Sequence, residues 1–260
     1  MRRLLFLGDI IGAPGREAVV HALPGLRQAL ALDWVVANAE NSAGGSGITR
    51  AIARSLTSAG VDVITLGDHT WGQRGFEQEI VETPQLCRPA NLSPRNPGAT
   101  HIIAPGHDGA RLLVFTVLGR QFMQHHVDCP FDTAERMLRE LEGQYDCALV
   151  EIHAEATSEK IALGWYLDGK VSLVVGTHTH VATADASVLP RGTAYQTDAG
   201  MCGPHTGVIG REIAPVIGRF LDGMPRRLPV ATEDVRLNGC LVSIDEKGHA
   251  CTVSRFEWRA

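Results

Sequence analysis

The sequence predicts an α/β fold with metal-binding side chains gathered at the carboxyl edge of a sheet. Three observations lead there. Between residues 4 and 66, apolar runs of strand length alternate with stretches of helix length. That β-α-β-α-β rhythm belongs to parallel strands joined by right-handed crossovers. A strand-helix-strand pattern returns between residues 147 and 175. Short polar clusters also sit where predicted strands end: Gly8-Asp9, Asn38-Ala39-Glu40-Asn41, Gly67-Asp68-His69, Glu151-Ile152-His153-Ala154-Glu155 and Gly176-Thr177-His178-Thr179-His180. Open α/β sheets bind their ligands at that edge.

In chain order, residues 4–7 form a short buried strand that stops at Gly8-Asp9. Pro14 suits the first turn of a helix. Val19, Val20, Leu23 and Leu26 supply its apolar residues, and Pro24 is expected to bend or end it. Residues 34–37 are the second strand. A glycine-rich loop over 41–47 leads to Thr49, an N-cap for a helix near 50–59 that Gly60 closes. Residues 61–66 are the third strand. The segment 83–110, rich in Pro, Gly and Asn, reads mostly as loop. A strand over 112–118 follows, then a helix over 131–143 with Asp132 or Thr133 near its start. Strands at 147–152 and 171–175 flank a helix over 157–167. Beyond residue 181 the pattern changes to short strands near 194–197, 239–244 and 251–257 around a helix near 211–221. A second sheet of antiparallel character fits that stretch. No repeat or low-complexity linker interrupts the chain, so one domain over residues 1–260 is expected.

Composition narrows the function. The chain is 44% hydrophobic and 20% charged, ordinary for a soluble globular protein. A net charge of −5 and the absence of any long Lys/Arg run argue against extended nucleic-acid binding, while leaving a nucleotide open as substrate. None of the six cysteines pairs with another at C-x-x-C spacing, so reduced, structural cysteines are expected. The apolar run after Arg2-Arg3 breaks at Asp9, too soon for a secretory signal, and no apolar stretch is long enough for a bilayer. A cytoplasmic protein without a membrane partner is expected; a homo-oligomer is left open.

The polar clusters carry the chemistry. Asp9 follows a strand, as ligand carboxylates often do, although a turn aspartate looks the same. Glu40 ends a strand before a loop of small residues, where one oxygen could serve each of two cations, and Asn41 can add an amide oxygen. The alternative is a glutamate that only accepts hydrogen bonds from the glycine-rich loop; that loop could itself offer N–H groups to a phosphate. Asp68 can bind metal while His69, on the opposite side of an extended backbone, addresses a substrate and protonates a leaving oxygen. His153 ends the 147–152 strand, with Glu155 placed to cap the next helix or to orient it. On extended backbone, His178 and His180 would face one side. The mixed oxygen and imidazole donors suit Mn, Fe or Zn better than calcium. Together they point to a two-metal hydrolase of phosphate esters, which needs charge neutralisation and leaving-group protonation.

The order Asp, Asn-Ala-Glu-Asn, Gly-Asp-His, His, Gly-x-His-x-His resembles the calcineurin-like metallophosphoesterase superfamily, and most closely its YmdB-like branch of 2′,3′-cyclic-nucleotide phosphodiesterases. The stretch from His153 to Lys160, His-Ala-Glu-Ala-Thr-Ser-Glu-Lys, and Thr197-Asp198-Ala199-Gly200-Met201 are especially family-like. The resemblance implies a sandwich of two mixed β-sheets flanked by helices. It implies one metal on Asp9, Glu40, Asn41 and His180, a second on Glu40, Asp68, His153 and His178, and iron or manganese as the occupants. It further implies hydrolysis of a cyclic nucleotide by a hydroxide shared between the metals, with His69 as proton donor. Two residues depart from the pattern. Ile11 stands where the wider superfamily often has a histidine, for which Asn41 would compensate. Asp68 stands where asparagine is usual, which should tighten cation binding. The alternatives are a broad phosphomonoesterase and a metal-binding regulatory protein with little turnover. Arg16, Arg74 and Arg88 could each meet phosphate, His205 could approach substrate, and the four tryptophans are expected to be core or partly buried.

Overall fold

The computed structural model describes residues 1–259. Its elements run β1 (Arg2–Leu7), β2 (Asp9–Ile10), α1 (Gly12–Ala29), β3 (Trp34–Asn38), α2 (Arg50–Ser58), β4 (Val63–Thr65), α3 (Phe76–Glu79), β5 (Leu86–Cys87), β6 (Ile102–Pro105), β7 (Arg111–Leu118) and α4 (Pro130–Glu140). Then follow β8 (Cys147–His153), α5 (Thr157–Leu167), β9 (Leu173–Thr177), β10 (Ser187–Val188), β11 (Ala194–Gln196), β12 (Met201–Pro204), α6 (Ile213–Asp222), β13 (Val235–Ile244) and β14 (Ala250–Arg259).

Two mixed sheets result. One has the order β2-β12-β13-β1-β3-β4-β5, with β14 also on β13; the other has the order β10-β11-β9-β8-β7-β6. The side-chain period of two decides how they stack. Leu4 and Phe6 of β1 join Trp34, Val36, Leu112, Val114, Leu149 and Leu173 in a core between the sheets. Leu5 and Leu7 face the other way, onto Val19, Leu23 and Leu56 of α1 and α2. Leu113, Phe115 and Val117 turn outward onto Ala134, Leu138 and Leu163 of α4 and α5. The result is helix, sheet, sheet, helix, the sandwich of two mixed sheets that the sequence implied.

β1, β3 and β4 are parallel neighbours, as are β7, β8 and β9. Their carboxyl ends therefore share an edge within each sheet. Register then aligns the polar clusters: Leu118 lies beside His153, and His153 beside Thr177.

Several expectations need correction. The C-terminal strands do not make a sheet of their own. β13 pairs antiparallel with β1, and β14 with β13, in the first sheet, while β11 extends the second sheet parallel to β9. The second sheet begins much earlier, because β6, inside the supposed 83–110 loop, pairs with β7. Pro24 neither ends nor breaks α1. It sits on an exposed face, where the carbonyl it leaves without a partner can meet water. Thr49 does cap α2, its Oγ1 accepting the Ile52 N–H at 3.4 Å. Trp165 is 57% exposed rather than buried, while Trp34 is fully enclosed. All six cysteines are free thiols. Among the described residues, no helix is long and apolar enough to cross a membrane.

Candidate metal centre

The clusters at the strand ends converge. Asp9 opens β2, where backbone pairing with Met201 places it, and it is fully buried. Glu40 follows β3 in a turn closed by its neighbour: the Asn38 side-chain oxygen accepts the Glu40 N–H at 3.0 Å. Asp68 and His69 follow β4, separated from it by Leu66 and Gly67. A Cβ on Gly67 would lie 2.4 Å from both Glu40 Oε2 and His153 Nε2, so only glycine lets this loop close over the pair. His153 is the last residue of β8, and His178 comes directly after β9.

Two overlapping sets of donors form around Glu40. In the first, His153 Nε2 lies 2.8 Å from Asp68 Oδ1 and 3.2 Å from Glu40 Oε1. His178 Nδ1 is 3.3 Å from the same Asp68 oxygen and 3.1 Å from His153 Nε2. In the second, His180 Nε2 lies 3.8 Å from Asp9 Oδ1 and 3.3 Å from the Asn41 amide, while Asn41 Nδ2 donates to Glu40 Oε1 at 3.0 Å. His69 stands at the mouth, its side chain 44% exposed, with Nδ1 3.2 Å from Glu40 Oε1. The structure thus brings together Asp9, Glu40, Asn41, Asp68, His69, His153, His178 and His180.

His178 and His180 arrive by a route the sequence reading did not foresee. Neither is extended: their φ angles are 92° and 67°. Each such left-handed residue costs about 1–3 kcal/mol and persists only when its surroundings hold it. Here the His178 N–H donates to Asp9 Oδ2 at 3.2 Å, and the His180 ring meets the Ile209 carbonyl at 3.3 Å. The twist sends the two imidazoles to opposite ends of the carboxylate row instead of to one side.

The electrostatics fit a cation. Burial pushes the Asp9 carboxyl up to about 7, against the pull of the His153 charge. Burial also works against Glu40, but the charge and hydrogen bond of His153, with the His69 bond, hold it down at about 2. Asp68 lies well below the usual carboxylate range, since bonds from His153 and His178 outweigh its burial. His153 is pulled in the opposite sense: burial disfavours its charge, yet Glu40 and Asp68 raise its pKa well above the ordinary value. Burial takes His180 down to about 4. The decisive atom is Asp9 Oδ1, which is sealed from water and accepts no hydrogen bond. An unpaired buried carboxylate oxygen is costly unless a cation completes it. The donor set therefore fits metal, and three groupings satisfy the spacing of a metal site: Asp68-His153-His178, Asp9-Glu40-His153 and Glu40-Asp68-His69. For Asn41 to give an amide oxygen, its side-chain amide must turn over, since nitrogen now faces Glu40.

A buried relay behind the site orients His153. Glu151 is wholly buried and accepts hydrogen bonds from Asn38 Nδ2 at 2.6 Å, Thr116 Oγ1 at 2.9 Å and Thr177 Oγ1 at 2.6 Å. Because the Thr177 hydroxyl donates to Glu151, it must accept from His153 Nδ1, 2.9 Å away. That fixes the Nδ1 proton and turns Nε2 toward Glu40 and Asp68. Glu155 does not orient His153, and Ala156, not Glu155, is the N-cap of α5; Glu155 lies 3.3 Å from His178 Nε2. Sequence reasoning missed Glu151 and Thr177 as a working pair. The only signal was their place beside the histidines.

Other candidates fall away for physical reasons. Ile11 packs in the core, its N–H on the Cys202 carbonyl. In the 41–47 loop the N–H groups of Ala43, Gly45 and Ser46 are spent on carbonyls of the loop itself and that of Ser42 on the Ala39 carbonyl, which leaves few to offer a phosphate. Arg88 is buried and holds the carbonyls of Pro89, Asn96 and Pro97. Arg16 binds the Ser42 carbonyl. His205 is occupied by the Gly203 carbonyl and Asn238.

Comparison with known proteins bears on this arrangement. The family model described as YmdB-like protein matches residues 5–256. A protein of Bacillus subtilis (strain 168) named 2′,3′-cyclic-nucleotide 2′-phosphodiesterase is 42% identical over 247 residues, covering 94% of this chain and 92% of its own. A crystal structure of a hypothetical protein from Thermus thermophilus superposes with a TM-score of 0.92 at 42% identity, covering 99% of both chains. One titled as a novel phosphatase from Mycoplasma pneumoniae superposes with a TM-score of 0.93 at 31% identity, over 99% of this chain and 93% of its own.

Proposed function

Because the chain belongs to the family of YmdB-like proteins, we propose that it is a two-metal phosphodiesterase acting on 2′,3′-cyclic nucleotides. The observation that carries this reading is the convergence on Glu40, with the Asp9 oxygen buried and unpaired beside it. Asp9, Glu40, Asn41 and His180 would hold one cation; Glu40, Asp68, His153 and His178 would hold the other. Iron or manganese suits this mixture of carboxylate, amide and imidazole donors. When bound, the pair would supply charge neutralisation at the phosphoryl group and a nucleophile at neutral pH.

The remaining work falls to the protein. Glu40 and the Glu151–Thr177 relay hold His153 in one orientation. His69 keeps Nδ1 on Glu40, which leaves Nε2 as the nitrogen for a leaving oxygen. The hydrogen bond to Glu40 raises the His69 pKa against the effect of burial, which favours the protonated ring that a general acid needs. The substrate assignment draws on the name of the Bacillus subtilis relative, and the Mycoplasma pneumoniae phosphatase supports the wider phosphoester class.

The test is a substrate panel on manganese- or iron-loaded protein: 2′,3′-cyclic AMP, a bis-aryl phosphodiester and an aryl phosphate, with and without chelator. Diester turnover that chelation abolishes is expected. Preference for the aryl phosphate would make the protein a phosphomonoesterase. Full metal occupancy without turnover of any substrate would make it a regulatory metal-binding protein.

A further inference from the structure

Beneath the His178–His180 turn lies a charged pair that the proposed chemistry does not use. Lys160, on α5, is 1% exposed and Asp198 is fully buried, with Nζ 2.7 Å from Asp198 Oδ2. A helical lysine in water gains little from such a pair. A buried one is retained only with good geometry and further hydrogen bonds. Those further bonds lead to the site. The same Asp198 oxygen accepts the Thr179 N–H at 3.2 Å and the Thr179 hydroxyl at 2.7 Å. Asp198 Oδ1 accepts the Gly200 N–H at 2.8 Å, so the carboxylate cannot swing away. The fit around it is tight: a Cβ on Gly176 would meet the Thr197 carbonyl oxygen at 1.8 Å and Lys160 Cδ at 2.8 Å.

Thr179 is the residue between the two left-handed histidines. Asp198 grips it at both its backbone and its side chain. With Thr179 fixed, His178 is committed to Asp68 and His153 on one side, and His180 to Asp9 and Asn41 on the other. We propose that Lys160 and Asp198 are positioning residues that act through Thr179 to hold His178 and His180 toward opposite ends of the carboxylate row. Lys160 holds Asp198 in place; Asp198 keeps the turn twisted. Neither touches the reacting atoms. This inference rests on the two-metal reading.

The experiment titrates metal-free protein with manganese by calorimetry, reading stoichiometry and affinity separately from turnover, with circular dichroism to confirm folding. Thr179→Val keeps the branched shape and the backbone N–H but removes the hydroxyl. It should weaken manganese binding about tenfold or more, the usual effect of losing a partner that orients ligands. Thr179→Ser restores the hydroxyl and should return binding to near the wild-type value. Lys160→Met should weaken binding at least as much as Thr179→Val if it folds; if it does not fold, the Thr179 pair decides. Folded Thr179→Val or Lys160→Met protein with wild-type affinity and stoichiometry overturns the proposal, as does a serine variant as weak as the valine one. Wild-type protein that takes up neither manganese nor iron removes the two-metal reading itself, a different result from an unchanged variant.

Discussion

Gly67→Ala puts the site's geometry to a sharp test. An added Cβ would sit 2.4 Å from Glu40 Oε2, 2.4 Å from His153 Nε2 and 2.5 Å from His153 Cδ2. Ordinary contact begins at 3.4 Å, so these groups must move by about 1 Å, or the loop carrying Asp68 and His69 must lift by as much. Neither shift is easy, since His153 is pinned by Thr177 and Glu40 receives the His69 N–H. A displacement of about 1 Å costs on the order of 100-fold in rate, near 2.7 kcal/mol of transition-state stabilisation. It also lies far beyond the roughly 0.2 Å tolerance of ligand distances, so metal affinity should fall too. The stability loss from overpacking should be only about 1–3 kcal/mol, leaving the protein folded. Gly25→Ala is the control: nothing lies within 4 Å of its added Cβ, and helix α1 should gain about 0.4–1 kcal/mol. The assays are diester hydrolysis at saturating manganese and thermal unfolding of both variants. Gly67→Ala protein with near wild-type turnover and metal content would refute the close packing of Glu40 against His153.

Other consequences are open to similar measurement. His69→Ala should retain both metals and lose about 10²–10⁴ in kcat, the range for general acid catalysis; good activity in that variant would take His69 out of its role. Glu151→Gln replaces one acceptor oxygen in a carboxylate serving Asn38, Thr116 and Thr177 with a donor. Metal affinity should drop about 10–100-fold as His153 loses its fixed orientation, and an unchanged calorimetric titration would contradict the relay. Chelation should abolish turnover and lower the melting temperature. Manganese at a hundred times its Kd should return about 2.7 kcal/mol of stability, whereas equal melting with and without metal would argue against a shared cation site.

Much of this was legible in the residues. Strands β1, β3, β4, β8 and β9 announce themselves as apolar runs, and each is followed by polar donors with no other evident use. What stayed hidden depended on distant partners. β6 is short and ends in Pro105, so its sequence resembles the loop around it; only pairing with β7 makes it a strand. That β13 joins β1 rather than a new sheet depends on contacts across most of the chain, which local periodicity does not record. The left-handed turns at His178 and His180 run against their residue type and are held by Asp9, Asp198 and Ile209. Lys160 reads as a solvent-facing helical lysine until Asp198 is placed against it. Pro24 shows the reverse case: a strong local signal that an exposed helix face can absorb.

The measurement that bears most directly on a Glu40 shared by two ions is an anomalous-scattering map of crystals grown with manganese. The account predicts two manganese peaks about 3.5–4 Å apart, one beside Asp9 and His180 and one beside Asp68, His153 and His178, with Glu40 between them. A single peak, or two peaks too far apart for one carboxylate to touch both, would contradict it.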